Sequence, residues 1–579
     1  MTVTNNPAMT EKKKYFTPLI IFILALATKF AIYYLAADHT LFLKYPVFAE
    51  KLANGFDIGE RVLDLSPFYL YFSVVVYKLF GPNWELLPLF QIVLGSSNCI
   101  IVYFIGMRLF NAATGLIAAI LLLFYGNLTL IELTLEPEIF VLLFTALAVI
   151  ALLKAGADNR TDYRWWFLAG MLIGLAAITK ANALLLLPGA AIWICLTVRY
   201  WRNMLTAVAI MLLGISLLVA PITLRNYLLF HDFVLITADG GKVFYHGNGP
   251  GATGMARADL PDQFLLEEGI GPDEPDYAHT LFRKMARELT KMPLKPSECA
   301  DFWFARTLAH IKSQPGAALH LELKKFCLFW HNYEVHDLDP TYHNYDTLRQ
   351  WPLVTMGIIA PLALLGMAIP LGGFRRAFLL YWLVFSYLAS ALLFFSASRY
   401  RLPAAPFLAI FAAHFLVNFY LLIRQKAMKT VTVRGLLLLL LLVGAYVPFH
   451  QEIDKYDLWQ QAMRIHYVRG EELFTRRQYP ESIREFEAAL SGAPELARSY
   501  LYQGKAYAIL GDHEKAVNCF KKFIDLAPNF DDGYAAMGFL LVLKGDQTKA
   551  LPYFEKALAL NPHNAKVKEQ WEKITRPSL

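Results

Sequence analysis

The sequence has few charged residues. Asp, Glu, Lys and Arg make up only 17% of its 579 residues, whereas 56% are hydrophobic, and the mean hydropathy is +0.40. Soluble globular domains carry about 25% charged residues, so this composition excludes a chain that is soluble throughout. It predicts an all-α membrane protein that crosses the bilayer several times and carries a smaller soluble part.

Cysteine is also scarce. The five cysteines include no CxxC pair and no spacing typical of a zinc site. Cys299 and Cys327 lie in one polar segment, but nothing in the sequence fixes the geometry that a disulfide requires, so no disulfide is predicted. The net charge of +7 comes from basic residues in short loops between apolar runs. Such loops are typical of membrane topology signals, and no nucleic-acid partner is expected.

Long apolar runs are abundant. A bilayer is crossed by about 20 apolar residues, and the chain has about eleven such windows, near 15–37, 86–106, 115–132, 133–153, 166–181, 183–198, 203–223, 352–372, 377–395, 403–423 and 435–449. Basic residues occupy the N-terminus and every second loop, which predicts a cytoplasmic N-terminus in an inner (plasma) membrane. The first run has no small-residue cleavage site after it, so we expect an uncleaved first helix.

The polar segments between these windows define the predicted domains. Residues 38–85 and 224–351 form two loops on the outer, periplasmic side, and the first contains two amphipathic stretches that predict helices lying in the membrane interface. We therefore expect a membrane domain over residues 1–450, a linker over 451–462 and a soluble domain over 463–579. Because the number of spans is odd, the soluble domain is predicted outside the cytoplasm.

The soluble domain has an internal repeat of 34 residues. Three residue types recur at this period, namely glycine at 470, 504 and 538, phenylalanine at 486, 520 and 554, and proline at 494, 528 and 562. This period and these residue types are the signature of tetratricopeptide repeats. We predict an α-solenoid of three helix–turn–helix units over 463–564, a capping helix after it, and a protein partner bound on its surface.

Four cations lie at the predicted outer ends of spans, against the trend for basic residues. Arg399 and Arg401 stand in SASRYRLPAAPF, Lys180 in ITKANALLLLP and Arg225 in PITLRNYLLF. One interpretation is that each is a separate anchor whose charge reaches up to the interface. The other is that they converge on a lipid-linked phosphate, because guanidinium groups bind phosphate oxygens in pairs and lysine supplies a point charge.

Acidic residues collect on the same predicted face. They include Asp38, Asp64 and Glu136, of which the last two are embedded in apolar motifs. Carboxylates at membrane depth are costly and usually face a polar cavity. A carboxylate that accepts a proton from an attacking hydroxyl is what transfer from a phosphate leaving group requires. Asp64, Glu136 and Asp38, in that order, are the predicted candidates for the catalytic base.

Several motifs over residues 15–450 resemble one enzyme family. They are DLSPFYLYFSVVVYKLFGP, GMRLFNAATGLIAAILLLFYG, LTLEPEIFVLLF, KANALLLLP, RNYLLFHDFVLITADGGKVFYHGNGPGATG, FWHNYEVHD and SASRYRLPAAPFLAIFAA. With them the chain resembles the GT-C glycosyltransferases of the protein-mannosyltransferase and aminoarabinose-transferase type. The resemblance implies the GT-C fold, a polyprenyl-phosphate sugar donor, and transfer to a hydroxyl of a protein, lipid or glycan acceptor.

The resemblance also implies residue roles. Arg399 and Arg401 would contact the donor phosphate. Tyr69, in the motif after Asp64, and His246, Asn248 and Glu334, in the large outer loop, would bind or cover substrate. By the resemblance Asp64 contacts substrate or a metal, so a divalent metal stays open, although no cluster has metal-ligand spacing.

The chain departs from the family pattern at the first outer loop. The resemblance predicts an acidic pair there, but Lys44 and Tyr45 occupy the corresponding positions. Either Asp38 or Asp64 has taken over this role, or the reaction differs, so the identity of the base stays open. Other functions also stay open, namely an oligosaccharide ligase or polymerase with a lipid-pyrophosphate donor, a transporter, or a scaffold that acts through its repeats.

Overall fold

A computed structural model describes most of the chain. The described residues are 7–35, 44–83, 86–156, 162–255, 277–334, 353–369, 374–447, 466–467, 469–492, 494, 496–561 and 564–575. They form helices and connecting turns, with one isolated parallel bridge between Tyr125 and Val354 and no β-strand in these ranges. The all-α prediction is confirmed.

The helices form two compact units. The first unit contains α1 (Pro7–Leu35), α2 (Lys44–Ala53), α3 (Pro67–Phe80), α4 (Leu86–Leu109), α5 (Ala112–Leu123), α6 (Gly126–Leu133), α7 (Glu138–Ala155), α8 (Tyr163–Thr179), α9 (Leu186–Thr197), α10 (Trp201–Phe230), α11 (Gly240–Asn248), most of α12 (Tyr277–Thr290), α13 (Pro296–Ser313), α14 (Pro315–Trp330), α15 (Met356–Ala368), α16 (Phe374–Leu393), α17 (Ser398–Arg401), α18 (Ala405–Arg424) and α19 (Met428–Tyr446). The second contains α20 (Tyr479–Gly492), α21 (Ala497–Ile509), α22 (His513–Leu526), α23 (Asp531–Leu543), α24 (Gln547–Leu560) and α25 (Ala565–Thr575).

Every predicted span contains a helix. Among the described residues, six helices are long and apolar enough to cross a membrane, and a further group of apolar helices is shorter. The multi-pass architecture is thus confirmed. The window 115–132 is divided into α5 and α6, because the backbone at the break pairs with a distant segment: Val354 N–H donates to the Phe124 carbonyl (2.8 Å), and Gly126 N–H donates to the Val354 carbonyl (3.1 Å).

Small residues allow the membrane helices to pack closely. At the crossing of α8 and α10, a Cβ on Gly170 would overlap the Met211 carbonyl, and one on Gly214 would lie 2.6 Å from the Phe167 carbonyl. Backbones that approach so closely are typical of helix contacts in membranes, where van der Waals packing replaces the hydrophobic effect. The resulting bundle holds the turn between α6 and α7, at which the candidate site lies.

The two stretches predicted as interfacial helices are α2 and α3. Ser66 caps α3 by accepting a hydrogen bond from Tyr69 N–H (3.4 Å), and Pro67 occupies the first turn. A proline there loses no helical hydrogen bond and has a backbone angle suited to a helix start.

Cys299 is buried, Cys327 is exposed, and neither is in a disulfide.

The second unit has the predicted repeats. Each repeat glycine leaves room for the phenylalanine 16 residues later: a Cβ would lie 2.6 Å from the ring of Phe486 at Gly470, 2.6 Å from Phe520 at Gly504, and 2.5 Å from Phe554 at Gly538. The 34-residue period is therefore a packing period. The capping helix is α25, whose Val567 is fully buried against Phe554.

Candidate active site

The turn between α6 and α7 presents two carboxylates. α6 ends at Leu133, Leu135 adopts a left-handed conformation (φ 57°), and α7 begins at Glu138 directly after Pro137. Glu136 is 2% exposed and Glu138 is fully buried. Leu135 has no glycine-like freedom, so this conformation costs about 1 kcal/mol or more and must be imposed by the surrounding contacts.

Two cations face this turn. Arg399 Nη1 lies 3.3 Å from Glu136 Oε2 and 3.9 Å from Glu138 Oε1, and Lys180 donates a hydrogen bond to Glu138 Oε1. The ring of Tyr400 packs beside both, 4.6 Å from Lys180 Nζ and 5.2 Å from Arg399 Cζ. We call these five residues the acid–base cluster. The predicted residues Glu136, Lys180 and Arg399 thus come together.

The acid–base cluster is buried on its acidic side and open on its basic side. The side chains of Lys180 and Arg399 are each 17% exposed, whereas those of Glu136 and Glu138 are 3% and 0% exposed. Buried charges are stable only when paired, so the cations compensate the acids. Since the cations also reach the surface, an anion can approach them from outside.

Tyr69 borders the cluster. Its side chain is fully buried, its ring packs edge-on against Tyr45 (4.8 Å between centroids), and its hydroxyl lies within electrostatic range of Glu136. This hydroxyl has no hydrogen-bond partner within the described ranges. Buried hydroxyl groups normally have one, so the Tyr69 hydroxyl is available to a ligand.

An apolar groove of about 710 Å³ lies between α9, α10 and the turn after Lys180. Its lining includes Leu184, which is four residues after Lys180 in the chain, together with Val219 and Phe233. The groove is almost entirely apolar, which suits a hydrocarbon chain.

Arg401 lies in a different environment from Arg399. It is 2% exposed, and its guanidinium donates to the carbonyls of Leu328 (3.0 Å), Phe329 (3.2 Å), His331 (2.8 Å) and Tyr333 (3.0 Å). It also pairs with Glu334 at 2.8 Å. These contacts anchor the segment after α14 to the bundle.

Asp64 is held by Arg283 of α12. It is 6% exposed and forms an ion pair with Arg283, which also lies 3.3 Å from Glu60, while Arg287 lies 3.0 Å from Glu60. Burial acts to lower the pKa of Arg283, but the attraction and hydrogen bond of Asp64 outweigh it and raise that pKa. This ion pair ties the first loop to α12.

Asn248 and His246 lie in α11, where the helix is fixed to the end of α16. Asn248 donates to the Leu393 carbonyl (2.8 Å) and accepts from Lys325 Nζ (2.6 Å), and the ring of His246 lies 4.8 Å from that of Phe282. Burial lowers the pKa of Lys325, and Glu322 partly opposes this. Neither His246 nor Asn248 has a described contact with the acid–base cluster.

Arg225 also lies apart from the cluster. Its guanidinium donates to the Tyr71 hydroxyl (2.8 Å) and to Asn226 Oδ1 (2.6 Å), and no contact within the described ranges joins it to Glu136 or Glu138. Asp38 lies outside the described residues. The described residues contain no group of three or more His, Cys, Asp or Glu side chains suited to a metal ion.

Several residues that shape the site have no role assigned from the sequence, although Glu132 and Glu138 stand with Glu136 in the acidic motif LIELTLEPEIF. Glu138 shares the cluster with Glu136, Arg283 pairs with Asp64, and a fully buried ion pair joins Lys29 to Glu132. Lys29 carried a signal, since it is a cation well inside the first apolar window, and such residues rarely lack a partner. The partner of Arg283 could not be read from the sequence, because it lies 219 residues away.

Part of the membrane unit is similar to a known enzyme family. Residues 64–224 match the family model described as dolichyl-phosphate-mannose-protein mannosyltransferase. The similarity applies to this segment. The segment contains Glu136, Glu138 and Lys180 of the acid–base cluster, and the match confirms the resemblance to glycosyltransferases. Residues 497–530 and 532–564 match tetratricopeptide repeat models, which confirms the repeats.

Solved structures of similar proteins are distant. The archaeal oligosaccharyltransferase AglB from Archaeoglobus fulgidus, in complex with an inhibitory peptide and a dolichol-phosphate, is 14% identical with a TM-score of 0.44, and the match covers 81% of this chain and 59% of that one. ArnT from Cupriavidus metallidurans bound to undecaprenyl phosphate is 14% identical with a TM-score of 0.30, covering 69% and 78%. Comparison with curated proteins gives no match.

Proposed function

We propose that the chain is a membrane glycosyltransferase that moves a sugar from a polyprenyl-phosphate donor to an acceptor hydroxyl. The observation that carries the proposal is the position of Lys180 and Arg399. Both are partly exposed cations of the acid–base cluster, and Leu184, four residues after Lys180 in the chain, lines the apolar groove. A ligand that fits both features has an anionic head and a long hydrocarbon tail.

Donor binding would replace contacts within the cluster. Arg399 lies 3.3 Å from Glu136, and a guanidinium that turns to a phosphate binds two of its oxygens at once. Lys180 would add a point charge, and the Tyr69 hydroxyl a further hydrogen bond. When Arg399 turns to the phosphate, its contact with Glu136 is replaced, and the Glu136 carboxylate would then accept the proton of the acceptor hydroxyl. We therefore propose Glu136 as the catalytic base.

Asp64 is a weaker candidate for the base than the sequence suggests. Its partner Arg283 is held between Asp64 and Glu60, and the donor phosphate proposed here does not displace it. We propose that Asp64 holds the first loop against α12 beside the site. Asp38 stays a sequence-based candidate.

The proposed reaction is a single displacement at the anomeric carbon. The acceptor hydroxyl passes its proton to Glu136 while its oxygen bonds to C1 of the sugar, and the bond between C1 and the phosphate oxygen breaks. The electron pair leaves with polyprenyl phosphate, whose charge is stabilised by Arg399 and Lys180. Attack opposite the leaving group inverts the anomeric configuration.

The remaining sequence-based expectations become part of this proposal. We infer that the N-terminus is cytoplasmic, that residues 1–450 form the membrane domain at whose outer face the site lies, and that residues 463–579 bind a protein partner in the periplasm after a linker over 451–462. A reporter that is active only in the cytoplasm should stay silent when fused after Leu579, and a signal from it would place the repeats on the other side.

The test of the function is transfer by the purified full chain. The probes are polyprenyl-phosphate-linked hexoses and pentoses, and the readout is the lipid product, identified by mass. The account predicts polyprenyl monophosphate from the wild type and none above background from Glu136→Gln. Polyprenyl-pyrophosphate-linked sugars serve as the second set of probes. Turnover of these alone, with release of polyprenyl pyrophosphate, would instead support a ligase or polymerase, and unimpaired turnover by Glu136→Gln would overturn the assignment of the base.

A further inference from the structure

A buried ion pair lies directly beneath the candidate site. Lys29 of α1 donates a hydrogen bond to Glu132 of α6, and both side chains are 0% exposed. Two charges removed from water cost several kcal/mol, and apolar residues of the same volume often replace such pairs without loss of stability. Stability alone is therefore a poor reason for this pair.

One face of α4 is shaped around the pair. A Cβ on Gly95 would overlap the Glu132 carboxylate and would lie 2.8 Å from Lys29 Nζ. One turn earlier, Gln91 donates its amide hydrogen to the Glu132 carbonyl (2.7 Å), and one turn later Asn98 donates to the Ile139 carbonyl (3.4 Å). Since these three residues share a helix face, α4 holds the backbone at both ends of the turn 132–139.

The turn between these two attachment points contains the acids of the cluster. Leu135, in its left-handed conformation, and Glu136 follow Glu132 within four residues, and Glu138 precedes Ile139. A backbone conformation that is unfavourable for leucine persists only if its surroundings impose it. The Lys29–Glu132 pair fixes the last turn of α6, from which that conformation starts.

We propose that Lys29 and Glu132 are positioning residues that hold Glu136 and Glu138 in register with Arg399 and Lys180. This inference rests on the proposed function, because it assumes that Glu136 receives the acceptor proton. The pair does not touch the donor. Its loss is therefore expected to misplace the base and to leave the phosphate contacts of Arg399 and Lys180 in place.

The test compares four variants of the full chain in detergent or nanodiscs. Lys29→Met removes the cation, and Gly95→Ala separates the pair by a methyl group without removing a charge. The double variant Lys29→Glu/Glu132→Lys exchanges the two charges. Gly106→Ala is the matched control, because it is the same substitution in the same helix, close to Gly115 Cα (2.9 Å) and remote from the turn.

Two readouts separate positioning from general stability. For Lys29→Met and Gly95→Ala we expect kcat to fall roughly a hundredfold, because a small displacement of a catalytic group lowers the rate by about that factor. The KM for the donor should change little. In the absence of any substrate, amides of 133–139 should exchange hydrogen about tenfold faster. Exchanged charges should restore both values, and Gly106→Ala should alter neither.

The outcomes distinguish this inference from the proposed function. If amide exchange in 133–139 is unchanged in both Lys29→Met and Gly95→Ala, the inference is wrong, whatever the reaction is. If exchange rises as expected but Glu136→Gln retains full turnover, the pair does hold the turn and the assigned base is wrong. Should Lys29→Met fail to fold, Gly95→Ala alone decides the question.

Discussion

Arg399 and Arg401 differ in what their guanidinium groups contact, although only one residue lies between them. Arg399 faces two carboxylates and remains partly exposed, whereas Arg401 is buried among four carbonyls and Glu334. From the sequence both are predicted to bind phosphate. The contacts support this role for Arg399 and favour an anchoring role for Arg401.

The distinction predicts different losses when each arginine is truncated. Arg401→Ala leaves four carbonyls and Glu334 without their donor, and removal of one partner of a buried ion pair costs about 3–5 kcal/mol. We expect a clear fall in the thermal unfolding temperature of the purified chain. Arg399→Ala is the comparison and should lower the unfolding temperature less, since the Arg399 side chain is 17% exposed and Lys180 still pairs with Glu138. If Arg401→Ala has normal stability but no longer binds the donor, Arg401 binds the phosphate and the anchoring role is wrong.

How far single residues could be predicted depends on the distance between partners in the chain. The site prediction included Glu136, Lys180 and Arg399 because each stands at the end of an apolar window. A charge there is costly and usually has a function. Their grouping follows from topology, which places those ends on one face. The partners Lys29 and Glu132 are 103 residues apart. Only the packing of α1, α4 and α6 brings them together, so the sequence could not pair them.

At the scale of elements, helices were predictable and their interruptions were not. The apolar window 115–132 reads as one span, yet it is split at Phe124 and Tyr125 because Val354 pairs with the backbone there. The left-handed Leu135 has no local signal either, since leucine does not favour that conformation. Both interruptions shape the candidate site, where long-range contacts override local preference.

The repeats offer a prediction about one element pair. Gly538 lies against the Phe554 ring, and a Cβ there would be 2.5 Å from it. Gly538→Val forces the ring out of its position. Overpacking of this kind destabilises the fold by about 1–3 kcal/mol. We expect faster hydrogen exchange in α23 and α24, measured on the full chain, with little change in α7, because a repeat array unfolds locally.

A glycine elsewhere in the repeats serves as the control. Gly511 has a positive φ of 85° and nothing within 4 Å of a Cβ, so Gly511→Asn, which tolerates that conformation, should leave exchange nearly unchanged. Equal effects of Gly538→Val and Gly511→Asn would contradict the packing explanation of the 34-residue period.

At the scale of the whole molecule, the chain joins two folds of different predictability. The repeat unit is identified by its period. Each repeat contacts only its neighbours, so the same residue types recur at the same spacing. The membrane unit is identified by composition and motifs, but its site is assembled from α3, α7, the end of α8 and α17, which are far apart in sequence. The all-α class and the multi-pass architecture were therefore accessible, and the arrangement of charges was not.

The central claim is that Lys180 and Arg399 bind a lipid-linked phosphate, and the most direct measurement is the affinity of the purified chain for undecaprenyl phosphate. A lost charge-assisted contact is worth about 1.5–3 kcal/mol, so Arg399→Ala should weaken binding roughly tenfold to a hundredfold. Arg375→Ala, an exposed arginine at the start of α16, is the control and should bind as the wild type does. Equal affinities of the wild type, Arg399→Ala and Arg375→Ala would contradict the account.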